Sequence, residues 1–139
     1  MTYKTNLNLP VTDAALLIFR IWVSAMMLVH GIPKLMTLFG PDEIKFMDPI
    51  GIGVTASLAL AVFAEVICSV LIILGLATRL AAIPLIVTMC VAIFIIHVPD
   101  GWARQELPSI YLAGYVLLLL TGAGKYSLDK AFMKKKRPY

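Results

Sequence analysis

Long apolar runs alternate along the chain with short segments rich in glycine, proline and charged residues. About 20 residues of α-helix cross the hydrocarbon core of a bilayer, so runs of this length predict membrane-spanning helices. We expect four spans, at about 12–32, 53–76, 80–98 and 107–123. Because backbone polar groups within lipid must be bonded internally, the pattern predicts an all-α integral membrane protein, a four-helix antiparallel bundle that forms one domain over 1–139.

The segments between the runs predict how the spans are joined. Residues 37–52 hold two prolines, three acidic residues and a lysine, which indicates a loop with a short interfacial helix. The turn before span three is very short, so spans two and three form a hairpin. Pro99-Asp100-Gly101 closes span three, and Gly122-Ala123-Gly124 ends span four ahead of a basic tail over 125–139.

Composition supports the membrane class. The 139 residues are 60% hydrophobic and 14% charged, whereas soluble domains are about a quarter charged. Five of the twelve basic residues lie in the last ten positions. Beside apolar spans, such a tail marks the cytoplasmic side and touches anionic lipid, and we expect no nucleic-acid partner.

The positive charges also predict an orientation. With four spans, both termini and the turn at Arg79 share one face, and eight lysines and arginines lie there: Lys4, Arg79, Lys125, Lys130, Lys134, Lys135, Lys136 and Arg137. The other face has three: Lys34, Lys45 and Arg104. The positive-inside rule therefore predicts a plasma (inner) membrane protein with cytoplasmic N- and C-termini.

Two charged residues fall in the central part of the apolar spans, and we expect them to pair. Arg20 is about 12 Å and Glu65 roughly 18 Å from the cytoplasmic side, by helical rise, and an arginine side chain can cover the difference. An unpaired charge in lipid costs several kcal/mol. The predicted Arg20–Glu65 ion pair is either a structural staple or part of a site that holds a polar head group or relays a proton.

A second polar cluster is predicted at the outer face, made of His30, Lys34, His97 and Glu106. The two histidines end spans one and three at similar depth. They can ligate a haem, pass protons, hydrogen-bond a polar substrate such as a quinone carbonyl, or bond only to backbone. Lys34 follows His30 by four residues on the same helical face. This cluster is the candidate mouth of a pocket.

The two cysteines, Cys68 and Cys90, sit inside apolar runs without the spacing of a zinc site or a disulfide framework. A redox pair and inert core packing both remain open for them.

Several segments together resemble the DoxX/DoxD-like family of small four-helix membrane proteins. The matching pieces are Arg20, His30-Gly31-Ile32-Pro33-Lys34-Leu35, Phe39-Gly40, Glu65, Leu74-Gly75-Leu76-Ala77-Thr78-Arg79-Leu80-Ala81-Ala82 and Leu120-Thr121-Gly122-Ala123-Gly124-Lys125-Tyr126-Ser127-Leu128-Asp129. They extend over about 16–132. DoxD-type members look like the membrane subunit of a thiosulfate:quinone oxidoreductase, and other relatives are linked to quinone or thiol stress. The resemblance therefore implies a role of this kind for the present chain.

From this we expect a quinone-interacting subunit of a membrane oxidoreductase or stress complex. The sequence contains no flavin fold, nucleotide loop or metal cluster, so electron transfer would need a borrowed cofactor or a partner subunit. One alternative is a non-catalytic anchor that assembles soluble partners through the basic tail. Another is a small-solute transporter, for which four short spans would need a homo-oligomer to form a path.

Overall fold

A computed structural model describes residues 7–135, and every regular element in that range is helical. The helices in chain order are α1 (Leu9–Phe39), α2 (Val54–Leu74), α3 (Thr78–Ile96), α4 (Trp102–Thr121) and α5 (Leu128–Lys135). The all-α prediction is confirmed. Three residues of the charge count, Lys4, Lys136 and Arg137, lie outside the described residues, as does the end of the predicted tail.

Within residues 7–135, three helices are long and apolar enough to cross a membrane: α1, α2 and α3. The predicted fourth span corresponds to α4, which begins at Trp102 rather than near 107. The polar residues expected in a turn here form its first turns instead. Gly101 starts the helix at φ 78°, and the Gln105 amide donates to the Ile93 carbonyl at 2.9 Å, which docks this polar end on α3.

The first helix is much longer than the predicted span. Its 31 residues extend about 46 Å, against about 30 Å of hydrocarbon. The helix continues through Pro33 to Phe39. The hydroxyl of Thr37 donates to the Pro33 carbonyl at 3.0 Å in this last stretch. A Cβ added to Gly31 would lie 3.0 Å from Cβ of Glu65, so α1 and α2 approach closely there.

The buried core lies among all four long helices. Its members are mostly apolar and include Met27, Cys68, Ile72, Leu85 and Tyr115. Helix α3 packs extensively along α4, and α1 packs along α2, whereas α1 and α4 touch much less. Large apolar side chains also cover the outside of the spans, as lipid contact requires.

The segment after α4 closes one end of the molecule. The carboxylate of Asp129 accepts hydrogen bonds from the backbone N–H groups of Ala77 (2.7 Å) and Thr78 (3.1 Å), which begin α3. The Asp129 N–H in turn donates to the Gly75 carbonyl at 2.9 Å. Asp129 therefore caps α3 and ties the chain after α4 to the α2–α3 turn. We call this the Arg20 end, because Arg20 of α1 reaches it.

Candidate functional site

The buried carboxylate of Glu65 pairs with Lys34. Lys34 Nζ lies 2.7 Å from Oε1 and 2.8 Å from Oε2, so the ammonium donates to both oxygens. Glu65 is 3% exposed, while the Lys34 side chain keeps 32% of its surface exposed. The predicted Arg20–Glu65 ion pair is therefore wrong. The observed pair joins Glu65, which was predicted to pair inside the membrane, to Lys34, which was predicted in the outer cluster.

Arg20 is buried but bonds to backbone. Its guanidinium donates to the carbonyl of Ala123 at 2.6 Å and to that of Tyr126 at 2.5 Å. Both carbonyls follow the end of α4, where backbone acceptors have no helical partner. Arg20 thus holds the loop that closes this end of the molecule, which is a structural role.

The wrong pairing follows from the helix register. The predicted spans 12–32 and 53–76 place residue 12 of span one at the same depth as residue 76 of span two. In the structure Gly75, which ends α2, would put a Cβ 3.1 Å from Cζ of Arg20, and Gly31 faces Glu65. Arg20 and Gly31 are eleven residues apart, so Arg20 lies about 16 Å along α1 from the level of Glu65. No arginine side chain spans that distance.

Glu65 sits where the backbone of α2 departs from regular α-helix. Residues Phe63–Cys68 form a π-helical turn, and a second one, Ala92–Ile96, ends α3. Such turns are rare in proteins overall, but those that occur often lie at functional sites. Gly31 lets α1 come close to α2 at this point, which brings Lys34, one turn further along α1, over the carboxylate.

A cavity of about 300 Å³ opens beside the pair, and we call it the charge-pair cavity. Its polar lining includes Lys34, Glu65 and His97. The walls are otherwise largely apolar: Phe46, Met47, Pro49, Ile50, Leu60, Ala61, Val87, Val91, Ala92 and Ile96, with Ser57 and Thr88. The cavity is thus a small apolar chamber with two opposite charges at one place on its wall.

Part of this wall was missed by sequence reasoning, because it comes from the α1–α2 loop. The ring of Phe46 lies 5.8 Å from Lys34 Nζ, a cation–π distance. Asp48 orders the loop by accepting from the Ser57 hydroxyl (2.8 Å) and from the N–H groups of Gly53 (2.9 Å) and Ile52 (3.0 Å). These bonds, led by that of Ser57, lower the pKa of Asp48. The aromatic residue between Lys45 and Met47 was the only signal available in the sequence.

Of the other three members of the predicted outer cluster, one lies at the charge-pair cavity and two do not. His97 lines the cavity and its Nδ1 lies 3.0 Å from Oδ2 of Asp100. His30 is exposed and does not line the cavity, and its ring meets Tyr111 edge-on at 6.0 Å. Glu106 is exposed in the first turns of α4 and is also absent from the lining. Haem ligation by the two histidines stays a prediction.

Two tyrosines of α4 were not singled out from the sequence. Tyr111 and Tyr115 are buried, and their rings lie nearly parallel, 6.3 Å apart. Their spacing of four residues places both on one helical face, a signal that the sequence did carry. They extend the contact of His30 into the core. Cys68 is buried and Cys90 half-buried, and both are free thiols.

Comparisons with known proteins give one family model and several related sequences. The family model described as DoxX matches residues 15–98. An uncharacterized membrane protein of Mycobacterium tuberculosis is 33% identical over 136 residues, which cover 84% of this chain and 80% of that protein. An uncharacterized protein of Haemophilus influenzae is 32% identical over 123 residues, 84% of this chain and 89% of its own. No solved structure is significantly similar. The chain belongs to the DoxX family of membrane proteins.

Proposed function

We propose that this protein binds the head group of a quinone in the charge-pair cavity, as a membrane subunit of an oxidoreductase or oxidative-stress complex. The observation that carries the proposal is the Lys34–Glu65 pair on the wall of an apolar cavity. A quinone has the matching chemistry, a flat apolar ring with carbonyl oxygens at its edge. Ligand sites of this kind combine apolar walls with a few fixed polar groups.

The polar groups of the cavity have hydrogen-bonding capacity that the pair does not use. Lys34 has three N–H donors and gives two to Glu65. The third can donate to a quinone carbonyl. His97 contacts Asp100 through Nδ1, and its Nε2 is not part of that contact. Glu65 as a carboxylate can accept a proton from a quinol hydroxyl, so the pair can both orient the ring and manage its protons.

The size of the cavity limits the ligand to one ring. Its volume of about 300 Å³ is at the small end of the range for ligand sites, ~300–1,000 Å³. A longer isoprenoid chain would have to leave the cavity. Apolar side chains exposed to lipid surround the helices, so such a chain would continue among acyl tails.

The proposed topology completes this assignment. We infer that α4 crosses the membrane as a fourth span, because it packs along α3 and its last fifteen residues are mostly apolar. The excess of basic residues at the Arg20 end supports cytoplasmic termini in a plasma membrane. The charge-pair cavity then lies toward the outer face.

The test is binding of a short-chain benzoquinone to the full-length protein in nanodiscs, measured by calorimetry against empty nanodiscs. Wild-type protein should bind saturably. Lys34→Met, which removes the donor, should weaken binding about tenfold or more. Arg104→Met removes an exposed charge outside the cavity and should leave binding unchanged. Binding no stronger than to empty nanodiscs, or equal binding by folded Lys34→Met, would overturn the proposal.

A second candidate is a non-catalytic anchor that assembles soluble partners, and α5 favours it. This helix exposes Phe132 and Met133 together with Lys134 and Lys135 at the Arg20 end. Removal of residues 134–139 should then abolish recovery of partner subunits, while circular dichroism and quinone binding stay unchanged. Unchanged recovery of the same partners would exclude the anchor.

A further inference from the structure

We propose that the Arg20 end carries a binding site for the phosphate group of an anionic phospholipid. The site is a cleft of about 760 Å³ between the α2–α3 turn, the α4–α5 loop and α5. We call it the basic cleft, because four cationic residues line it: Arg79, Lys125, Lys130 and Lys134. It lies at the opposite end of the molecule from the charge-pair cavity, and the inference does not depend on the proposed quinone site.

The acidic groups of the basic cleft are already engaged with backbone. Asp129 accepts from two N–H groups of α3, and Asp13 Oδ1 accepts from the Lys125 N–H at 3.0 Å. Within residues 7–135, no carboxylate lies within 4.0 Å of any of the four cationic groups. The lining thus has a surplus of two positive charges, in a form that an anion can use.

The cations converge from three parts of the chain. Lys130 and Lys134 are four residues apart on α5 and therefore share one face. Arg79 lies against Gly122, where an added Cβ would be 3.3 Å from Nε, and its Nη2 donates to the Leu120 carbonyl at 3.3 Å. Glycine at this position, with φ 75°, leaves room for the guanidinium beside the loop. The arginine is held in place while most of its donors stay available.

Apolar residues beside the cations favour a lipid over a free phosphate. Leu80 is 70% exposed and Met133 is 58% exposed, and both line the basic cleft. Leu80 belongs to α3, a membrane-spanning helix, so the cleft is continuous with the lipid-facing surface. A glycerophosphate group could bind the cations while its acyl chains follow that surface. Basic pockets between helices recognise head groups in this way.

The experiment measures retention of phosphatidylglycerol by native mass spectrometry of the full-length protein released from vesicles of phosphatidylglycerol and phosphatidylcholine. The cleft variant is Lys130→Gln with Lys134→Gln, and Arg79→Gln is tested separately. The tail control is Lys135→Gln, which removes an exposed charge of α5 that does not line the basic cleft. A site predicts that phosphatidylglycerol retention falls at least about tenfold in the cleft variant and much less in the control.

Each outcome decides between sources of the anion. Loss of retention in both cleft variants but not in the tail control supports the lipid site. Equal losses in the cleft and tail variants mean diffuse attraction to the basic surface and overturn it. Displacement of the lipid by millimolar inorganic phosphate overturns the lipid assignment, because a soluble phosphate then occupies the same cations. Because Lys130 and Lys134 are exposed, their variant should fold even if Arg79→Gln does not.

Discussion

The Lys34–Glu65 pair predicts a large energetic coupling between two helices. At 2.7 Å and an effective dielectric constant of about 20, the gross attraction is about 6 kcal/mol, before several kcal/mol of desolvation are subtracted. Lys34→Met leaves the charge of Glu65 buried without a partner, which typically costs about 3–5 kcal/mol. We expect about 3 kcal/mol, because the partly exposed lysine admits water near the carboxylate.

The reverse change should cost less. In Glu65→Gln the amide can still accept from Lys34, and the lysine can extend toward water, so we expect a loss of about 1–1.5 kcal/mol. The double variant leaves no buried charge, and its loss should be about 1 kcal/mol. The two single losses therefore exceed the loss in the double variant by about 3 kcal/mol, the upper end for residues in contact.

The assay is unfolding of the purified protein in mixed micelles as the fraction of denaturing detergent increases, followed by circular dichroism. The wild type, both single variants and the double variant close a double-mutant cycle. Arg104→Met combined with Glu65→Gln supplies the control, and its losses should add within about 0.5 kcal/mol. A coupling below that value for Lys34 and Glu65 would refute the reasoning, because the pair would then contribute no more than an exposed surface bridge.

Three further predictions concern the scaffold of the two ends. Gly31→Val should lower the free energy of unfolding by about 1–3 kcal/mol in the same assay, because its Cβ would be 2.9 Å from Val66 Cγ2. Ala25 is exposed on α1, so Ala25→Val should lower it little. Equal losses in the two variants would contradict the close approach of α1 and α2. Asp129→Ala should lower the free energy of unfolding by roughly 1–2 kcal/mol, because it removes the cap of α3, and Asp129→Asn should lower it less. Equal stability of Asp129→Ala and the wild type would exclude the cap. The pKa of Asp48 lies below its ordinary value of 3.8. The order that Asp48 gives the α1–α2 loop is therefore fully present above pH 3.8 and is lost as the pH falls through the lowered pKa. NMR of the carboxyl carbon should follow this titration, and a pKa at or above 3.8 would contradict the hydrogen bonds.

The helices were predictable because a bilayer imposes a simple length and composition on each span. Runs of apolar residues placed α1, α2 and α3 correctly, and glycine or proline marked the turns. The ends were less predictable. Helix α1 extends beyond its predicted span at both ends, and the polar first turns of α4 resemble a loop by composition. Local sequence does not show that Gln105 docks on α3.

The charge pairing was not predictable, because it depends on how two helices slide past each other. A shift of eight residues moves the partner of an α1 residue by about 12 Å, and apolar runs tolerate such a shift without any change in composition. Gly31 and Gly75 mark the register, since Gly31 allows close contact with Glu65 of α2, and Gly75 leaves room for the Arg20 guanidinium and for Ser127. Isolated glycines in a sequence do not show which residues they face. Depth estimated from helical rise was therefore the remaining guide, and it suggested the wrong pair, Arg20 and Glu65.

The charges singled out from the sequence are used differently at the two ends of the molecule, and this difference supports the proposed quinone site. At the Arg20 end, Arg20 and Asp129 bond to backbone groups, so the most distinctive motif of the chain, over 120–129, builds a closure rather than a reaction centre. At the other end, Lys34 and Glu65 bond to each other beside a cavity. Backbone partners fix a charge in a structural role. A paired lysine with a donor to spare next to an apolar chamber can recognise a ligand, and that is why we propose the quinone head group for the charge-pair cavity rather than for the Arg20 end.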